Sequence, residues 1–318
     1  MKVMINLKEL VSNMTVRGNL LVVAASVEKT KTGKAYLKAT MQNRTGKVEV
    51  RRWDFNEEPP TVGTVVNVFG TVSLFMDQPQ ITLSMPLYEV TDYDMSEFIQ
   101  EVSPNFDEGV NETLVDWLKV QISDTPYSGV FDMFEKSAYY EQFKVHTAAI
   151  GIHHAGMKGL LKHSLEVLLY AENIYHALPP ATQMMVDRPL LLMGAFLHDI
   201  GKVQCYQCNN GVWEYTPMGH LLDHSVMGAE LIAQFNAVLM SENALMSLQH
   251  IILSHHGKLE YGAAVKPASI EAVIVNVADG LSAKLDTIAT ALQEKSDKDM
   301  WTKKLFSVDN TQFYSNRE

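Results

Sequence analysis

From Gly18 to Val90 the chain alternates apolar and polar residues in short runs bounded by turn formers. Residues 20–24 are a continuous apolar run. Residues 36–41 place Leu37, Ala39 and Met41 on one face, and 48–53 alternate at their start. Residues 65–69 and 80–85 complete five predicted strands. Thr32-Gly33, Thr45-Gly46 and the stretch 77–79 mark turns between them. Five short strands with such corners suit a small Greek-key barrel of the OB type.

The period then changes. Residues 91–110 read as a linker, acidic and interrupted by Ser103-Pro104-Asn105. Asn111 is expected to cap a helix with Leu114, Leu118 and Ile122 along one side. Further helices run through Phe131, Phe134 and Phe143, and the helical period continues to about Leu285. One stretch breaks it: residues 203–215 hold Asn209-Asn210-Gly211 between polar-aromatic runs, which predicts a hairpin. The expected organisation is therefore multi-domain, with an all-β OB-fold barrel over 1–90, a linker over 91–110 and an all-α bundle over 111–318.

Composition narrows the classes. With 47% hydrophobic residues in 318, the chain can build real cores. No apolar run approaches the roughly 18 to 20 residues of a membrane span, and the N-terminus lacks the apolar core of a signal peptide. Two cysteines do not make a disulfide framework, so a cytoplasmic protein is expected. Cys205 and Cys208 form a lone C-x-x-C, which suits half a zinc site or a redox pair; without a second Cys pair, two reduced thiols fit better. The net charge of −11 argues against coating nucleic acid through a broad basic surface. It leaves room for a locally positive site. In the barrel, Tyr36, Lys38, Arg51 and Trp53 lie opposite the apolar residues of their strands, as a single-strand platform would require. Trp53 as plain core, and Lys38 and Arg51 as solvated charges, are the alternatives.

The candidate chemistry sits in the helical half. Residues 190–197 are an apolar run, expected to be a helix whose start Asp187 and Pro189 mark, and it ends in His198-Asp199, then Gly201 and Lys202. Buried charge needs a partner or a metal. His163 shares an apolar helix face with Leu160 and Val167, His224 and His255-His256 end or enter apolar helices, and Asp279 lies in a segment apolar nearly all round. A lone histidine of this kind is ordinarily a hydrogen-bonded core residue. Together, these five histidines and two aspartates suit divalent ions, and they are enough for two with Asp199 shared. A pair of cations neutralises both the attacking and the leaving oxygen at phosphorus.

On these residues the chain resembles a family. His163, His198-Asp199 and Asp279 match the pattern of HD-domain metal phosphohydrolases. Leu197-His-Asp-Ile-Gly-Lys202, Leu253-Ser-His-His-Gly-Lys-Leu-Glu-Tyr-Gly262 and Asp279-Gly-Leu-Ser-Ala-Lys284 are similar to the YhaM-type 3′-to-5′ exoribonucleases, in which an OB domain precedes the HD domain. Gly46-Lys-Val-Glu-Val-Arg-Arg-Trp-Asp54 and the tail Leu305-Phe-Ser-Val-Asp-Asn-Thr-Gln-Phe-Tyr314 carry the same likeness. The resemblance implies a metal-dependent exonuclease that releases nucleoside monophosphates from single-stranded RNA or DNA. It implies that His163, His198, Asp199 and Asp279 hold one ion. Asp199 would bridge to a second on His224, His255 and His256. Lys202 would stabilise charge on the scissile phosphate, or else it is a helix C-terminal cation. Manganese is the first expectation for the two ions, with iron, cobalt or zinc as alternatives.

Other readings stay open. A cyclic-dinucleotide phosphodiesterase would carry a Gly-Tyr-Pro signature that is missing here. A nucleotide-pool phosphohydrolase gives the barrel no role, and a non-catalytic nucleic-acid-binding module does not need the full ligand set. His220 is four residues before His224 but has no counterpart in the family pattern. His153-His154 and His250 are expected to pack rather than ligate. Seventeen methionines and an exposed tail leave room for a homo-oligomer.

Overall fold

The computed structural model describes residues 4–75, 78–99, 108–150, 156–236, 240–295 and 299–315. His153-His154 and part of the 77–79 turn lie outside the described residues. All five expected strands form, longer than the pattern alone marks them: β1 Thr15–Lys29, β2 Ala35–Asn43, β3 Gly46–Trp53, β4 Val65–Phe75 and β5 Gln78–Leu83, followed by a two-residue β6 Tyr88–Glu89.

The pairing runs β1-β2-β3-β5-β4 and returns from β4 to β1. One strand makes that closure possible. The first half of β1, Thr15 to Leu21, pairs with β4, and its second half pairs with β2. The register shifts between Val22 and Ala24, where a bulge bends the strand between its two neighbours. The β3–β5 contact is parallel and the others are antiparallel. Gly70 on β4 allows the close approach of β5, because a Cβ there would stand 2.4 Å from the Thr82 carbonyl oxygen. Leu37, Ala39, Met41, Val48, Val50, Val66, Val68 and Ile81 fill the interior. This strand order and closure define an OB-type barrel.

The described residues up to Ile99 group with the barrel, together with Cys208–Glu214, while the other described residues form a second unit. Phe98 is buried, and its carbonyl accepts from Gln42 Nε2, so the stretch read as linker begins inside the first unit.

The helices are α1 Glu108–Ile122, α2 Pro126–Glu135, α3 Ala138–Val145, α4 Gly159–Ala177, α5 Pro180–Gln183, α6 Arg188–Leu197, α7 Lys202–Cys205, α8 Pro217–Leu222, α9 His224–Asn236, α10 Glu242–Ser254 and α11 Ile270–Glu294. Asn111 does not cap α1, contrary to expectation; the helix begins three residues earlier and Asn111 lies inside it. α6 starts where Asp187 and Pro189 predict it, with the Asp187 carboxylate accepting from Leu190 N–H. Its residues from Leu190 to Leu197 are all buried, and α4, α10 and α11 pack around it. Phe196 meets Phe131 and Phe143 with ring centroids 5.8 and 5.4 Å apart.

The predicted hairpin is present as β7 Tyr206–Asn209 and β8 Val212–Tyr215. Asn210 and Gly211 both have positive φ, 47° and 79°, as a two-residue primed turn requires. Both cysteines are free thiols. Burial pushes the Cys205 thiol up to about 11, which suits an inert side chain.

Candidate metal centre

Five elements bring seven side chains to one place. α4 supplies His163. The end of α6 supplies His198 and Asp199. His224 opens α9, His255 and His256 close α10, and Asp279 comes from the middle of α11. His163, His198, Asp199, His224 and His255 are all buried, and His256 is partly exposed.

The seven residues sort into two sets around Asp199. On one side, His163 Nε2 lies 3.2 Å from His198 Nε2, 3.1 Å from Asp279 Oδ1 and 3.5 Å from Asp199 Oδ2. On the other, His224 Nε2 lies 3.4 Å from His255 Nε2, 3.1 Å from His256 Nε2 and 3.3 Å from Asp199 Oδ1. Two nitrogens each about 2.1 Å from one ion, at tetrahedral or octahedral angles, would be about 3.0 to 3.4 Å apart. The two sets therefore have the spacing of ligand shells, and Asp199 turns one oxygen to each.

The protons decide what this arrangement needs. His198 Nδ1 is 2.9 Å from the Ala195 carbonyl and His255 Nδ1 is 2.6 Å from the Ile252 carbonyl. A carbonyl only accepts, so each Nδ1 carries the proton and each Nε2 presents a lone pair. His163 Nδ1 is 3.0 Å from Ser282 Oγ, which itself donates to Glu166 Oε2 at 2.8 Å. The hydroxyl proton is thus committed to Glu166, and Ser282 accepts from His163. His224 Nδ1 meets the Asp223 carboxylate at 3.1 Å. Four of the five imidazoles therefore point bare nitrogens inward. Acceptors 3.2 and 3.4 Å apart, His163 against His198 and His224 against His255, repel one another unless a cation lies between them. Asp199 Oδ1, buried without a hydrogen-bond partner of good geometry, has the same requirement. Borderline divalent cations satisfy it, and this mixed N/O donor set fits them.

The ionisation preferences agree. Burial opposes charge on Asp199, but Lys202 and His198 outweigh it and hold the carboxyl well below the usual range. Burial likewise opposes charge on Asp279, and its contact with His163 overcomes it. Burial pushes His163, His255 and His256 down, toward the neutral form that binds metal. Burial also opposes charge on His198 and His224, yet Asp199 beside them leaves both raised. Asp199 thus favours positive charge on both of its sides.

Lys202 Nζ sits 2.5 Å from Asp199 Oδ2 and is buried. It opens the single-turn helix α7, and its ammonium is spent on Asp199. Gly201 stands where α9 passes closest. A Cβ there would meet the His224 carbonyl oxygen at 1.9 Å and Gly228 N at 2.5 Å. His220 does not join the cluster. Asp223, at φ 64°, separates α8 from α9, and His220 lies against Tyr215 with ring centroids 4.8 Å apart. His250 accepts from Ala268 N–H, a packing role.

Reading the sequence alone misses the supporting shell. Ser282 and Glu166 are ordinary polar residues there, although Ser282 lies three after Asp279 on α11 and Glu166 three after His163 on α4, the spacing that shares a helix face. Asp223 accepts from Ser225 N–H as well as from His224, which makes it a helix cap that also orients a candidate ligand. Such groups fix ring tautomer and tune ligand basicity. Ser282→Ala is expected to weaken binding at the His163 set by roughly 10- to 100-fold while sparing the His224 set; calorimetric metal titration checks this. Equal loss at both sets would remove the selective role.

On the barrel, Tyr36 and Trp53 are cross-strand partners with ring centroids 5.0 Å apart, and Lys38 faces Arg51. The Arg51 guanidinium lies 5.8 and 5.9 Å from those rings and 5.2 Å from Phe75, which sequence reasoning missed. Trp53 is 46% exposed, so it is not core. Lys38 is paired with Glu28 and Arg51 with Glu49. The surface is thus aromatic first and only weakly cationic.

A helical bundle that carries a histidine, a His-Asp dyad and a distal aspartate in this geometry is an HD domain, and the HD family model matches residues 160–284. The chain belongs to the YhaM family of 3′-5′ exoribonucleases. It is 30% identical to YhaM of Bacillus velezensis over 289 residues, which are 89% of this chain and 88% of the relative. With YhaM of Oceanobacillus iheyensis it shares 29% identity over 308 residues, covering 93% and 92%. A solved OB-fold domain of replication protein A from Methanococcus maripaludis aligns with 27% of this chain at 21% identity and a TM-score of 0.21. The barrel assignment stands on the strand order, not on that alignment.

Proposed function

We infer that this chain is a metal-dependent 3′-5′ exoribonuclease that removes nucleoside monophosphates from single-stranded RNA, with single-stranded DNA as a second substrate. The observation that carries the reading is the paired set of inward-facing nitrogens on the two sides of Asp199. Two divalent ions, manganese foremost, would be held by His163, His198, Asp199 and Asp279 and by Asp199, His224, His255 and His256. Bound there, they would polarise the phosphate and lower the pKa of the attacking water. Lys202 would move from Asp199 to the scissile phosphate and offset its growing charge. With their imidazoles neutral, two carboxylates against one ammonium give the centre a net negative charge, which favours cations there.

The barrel would guide the strand, with bases stacking on Trp53, Tyr36 and Phe75 and with Arg51 and Lys38 near the backbone. Trp53→Ala is expected to weaken binding of a single-stranded oligonucleotide about tenfold, leaving turnover of a dinucleotide unchanged. Fluorescence anisotropy and a dinucleotide assay check the two halves; an equal effect on both would make Trp53 structural. No described helix is long and apolar enough to cross a membrane. Exposed Trp301, Phe306 and Tyr314 in the tail would favour self-association.

The test is purified chain with manganese and an RNA labelled at its 5′ end. Progressive shortening from the 3′ end with release of monophosphates supports the reading. Internal cuts, or binding without cleavage, contradict it.

A further inference from the structure

The segment that follows His255-His256 is unused by the chemistry so far. It folds back on the end of α10 through Gly257 N–H to the Ser254 carbonyl at 2.8 Å and Ala264 N–H to the Leu253 carbonyl at 3.0 Å. Gly257, at φ 75°, presses against Asn276; a Cβ there would stand 2.5 Å from Asn276 Nδ2, which donates to the His255 carbonyl. Gly262, at φ 97°, lies against the outer metal-ligand candidate: a Cβ there would sit 3.9 Å from His256 Cδ2. The segment is therefore held in place beside the one ligand of the seven-residue cluster's histidines that is partly exposed.

On this fixed support stand four exposed side chains, Lys258, Leu259, Glu260 and Tyr261, of which the aromatic ring and the ammonium carry the argument. Tyr261 is 64% exposed, and Lys258 places Nζ 5.0 Å from its ring centroid. Leu259 between them is 54% exposed. An aromatic face with an ammonium beside it, next to a centre built for phosphorus chemistry, has the two features a nucleotide presents in complement: a base to stack and a phosphate to neutralise.

We propose that Tyr261 and Lys258 form the subsite for the 3′-terminal nucleotide, the Tyr261 ring stacking its base and the Lys258 ammonium meeting its phosphate. Stacking accepts any base, so this subsite holds the strand end without reading sequence. The proposal rests on the exoribonuclease reading for its substrate and on the fold of 257–263 for its position.

The experiment uses the full manganese-loaded chain and its Tyr261→Ala, Tyr261→Phe and Lys258→Ala variants. Two readouts are taken: KM and kcat on RNA ending in an ordinary or an abasic 3′ nucleotide, and calorimetric affinity for AMP against ribose 5-phosphate. The unmutated chain is expected to favour the ordinary end and AMP by about tenfold. Tyr261→Ala should erase both preferences and Tyr261→Phe should keep them, with melting temperatures unchanged. Lys258→Ala should weaken AMP and ribose 5-phosphate alike. Full preference retained in Tyr261→Ala overturns the subsite while leaving the nuclease intact. If no RNA is trimmed, yet the AMP preference is present and is lost in Tyr261→Ala, the nuclease reading fails and the subsite stands. No AMP preference in the unmutated chain overturns the subsite outright.

Discussion

Asp199→Ala is expected to empty both halves of the centre and to lower RNA hydrolysis by roughly 10³-fold or more, beyond the 10²- to 10³-fold that a single lost transition-state donor costs. The reason is the position of its two oxygens. Oδ2 stands 3.5 Å from His163 and His198 Nε2, and Oδ1 stands 3.3 and 3.6 Å from His224 and His255 Nε2. Removing the carboxylate takes one donor from each set and the charge shared between them. It also strands the buried Lys202 ammonium, and an unpaired buried charge costs about 3–5 kcal/mol. The double variant Asp199→Ala with Lys202→Met separates the effects: stability should recover while metal and activity stay lost. Near-normal turnover by Asp199→Ala would remove this residue from the chemistry. Binding of single strands by the barrel should persist in both variants.

Gly201→Ala should be the most damaging single methyl in the bundle. Its φ of −64° is ordinary, so conformational freedom is not the issue. The cost is space: the new Cβ would lie 1.9 Å from the His224 carbonyl oxygen and 2.5 Å from Gly228 N, both backbone atoms of α9. The helix must retreat, and His224 retreats with it. Overpacking of this kind costs about 3 kcal/mol, which for a unit of this size lowers the melting temperature by roughly 6–12 °C. The His224 set should lose its ion before the His163 set does. A melting temperature within a degree of the unmutated chain would mean that α9 is not held where it stands.

Much of this was legible in the sequence, for physical reasons. Alternation marked Leu37, Ala39 and Met41 as interior because a strand has only two faces. Asp187 and Pro189 marked the start of α6 because a cap and a first-turn proline have few other uses. The clustering of the five histidines and two aspartates was legible because buried imidazoles and carboxylates demand partners. What escaped was whatever depends on long-range approach. Ser282 meets His163 from a helix 119 residues away. The need for glycine at 201 comes from a backbone that arrives more than twenty residues later in the chain. Phe75 joins Arg51 only once the barrel has closed. Asn111 misled because a good capping residue also fits inside a helix that starts earlier.

The most direct measurement is anomalous diffraction at the manganese edge from crystals soaked in manganese. Two peaks are expected, one among His163, His198, Asp199 and Asp279 and one among His224, His255, His256 and Asp199. A single peak away from Asp199, or none at a concentration that supports hydrolysis, would contradict it.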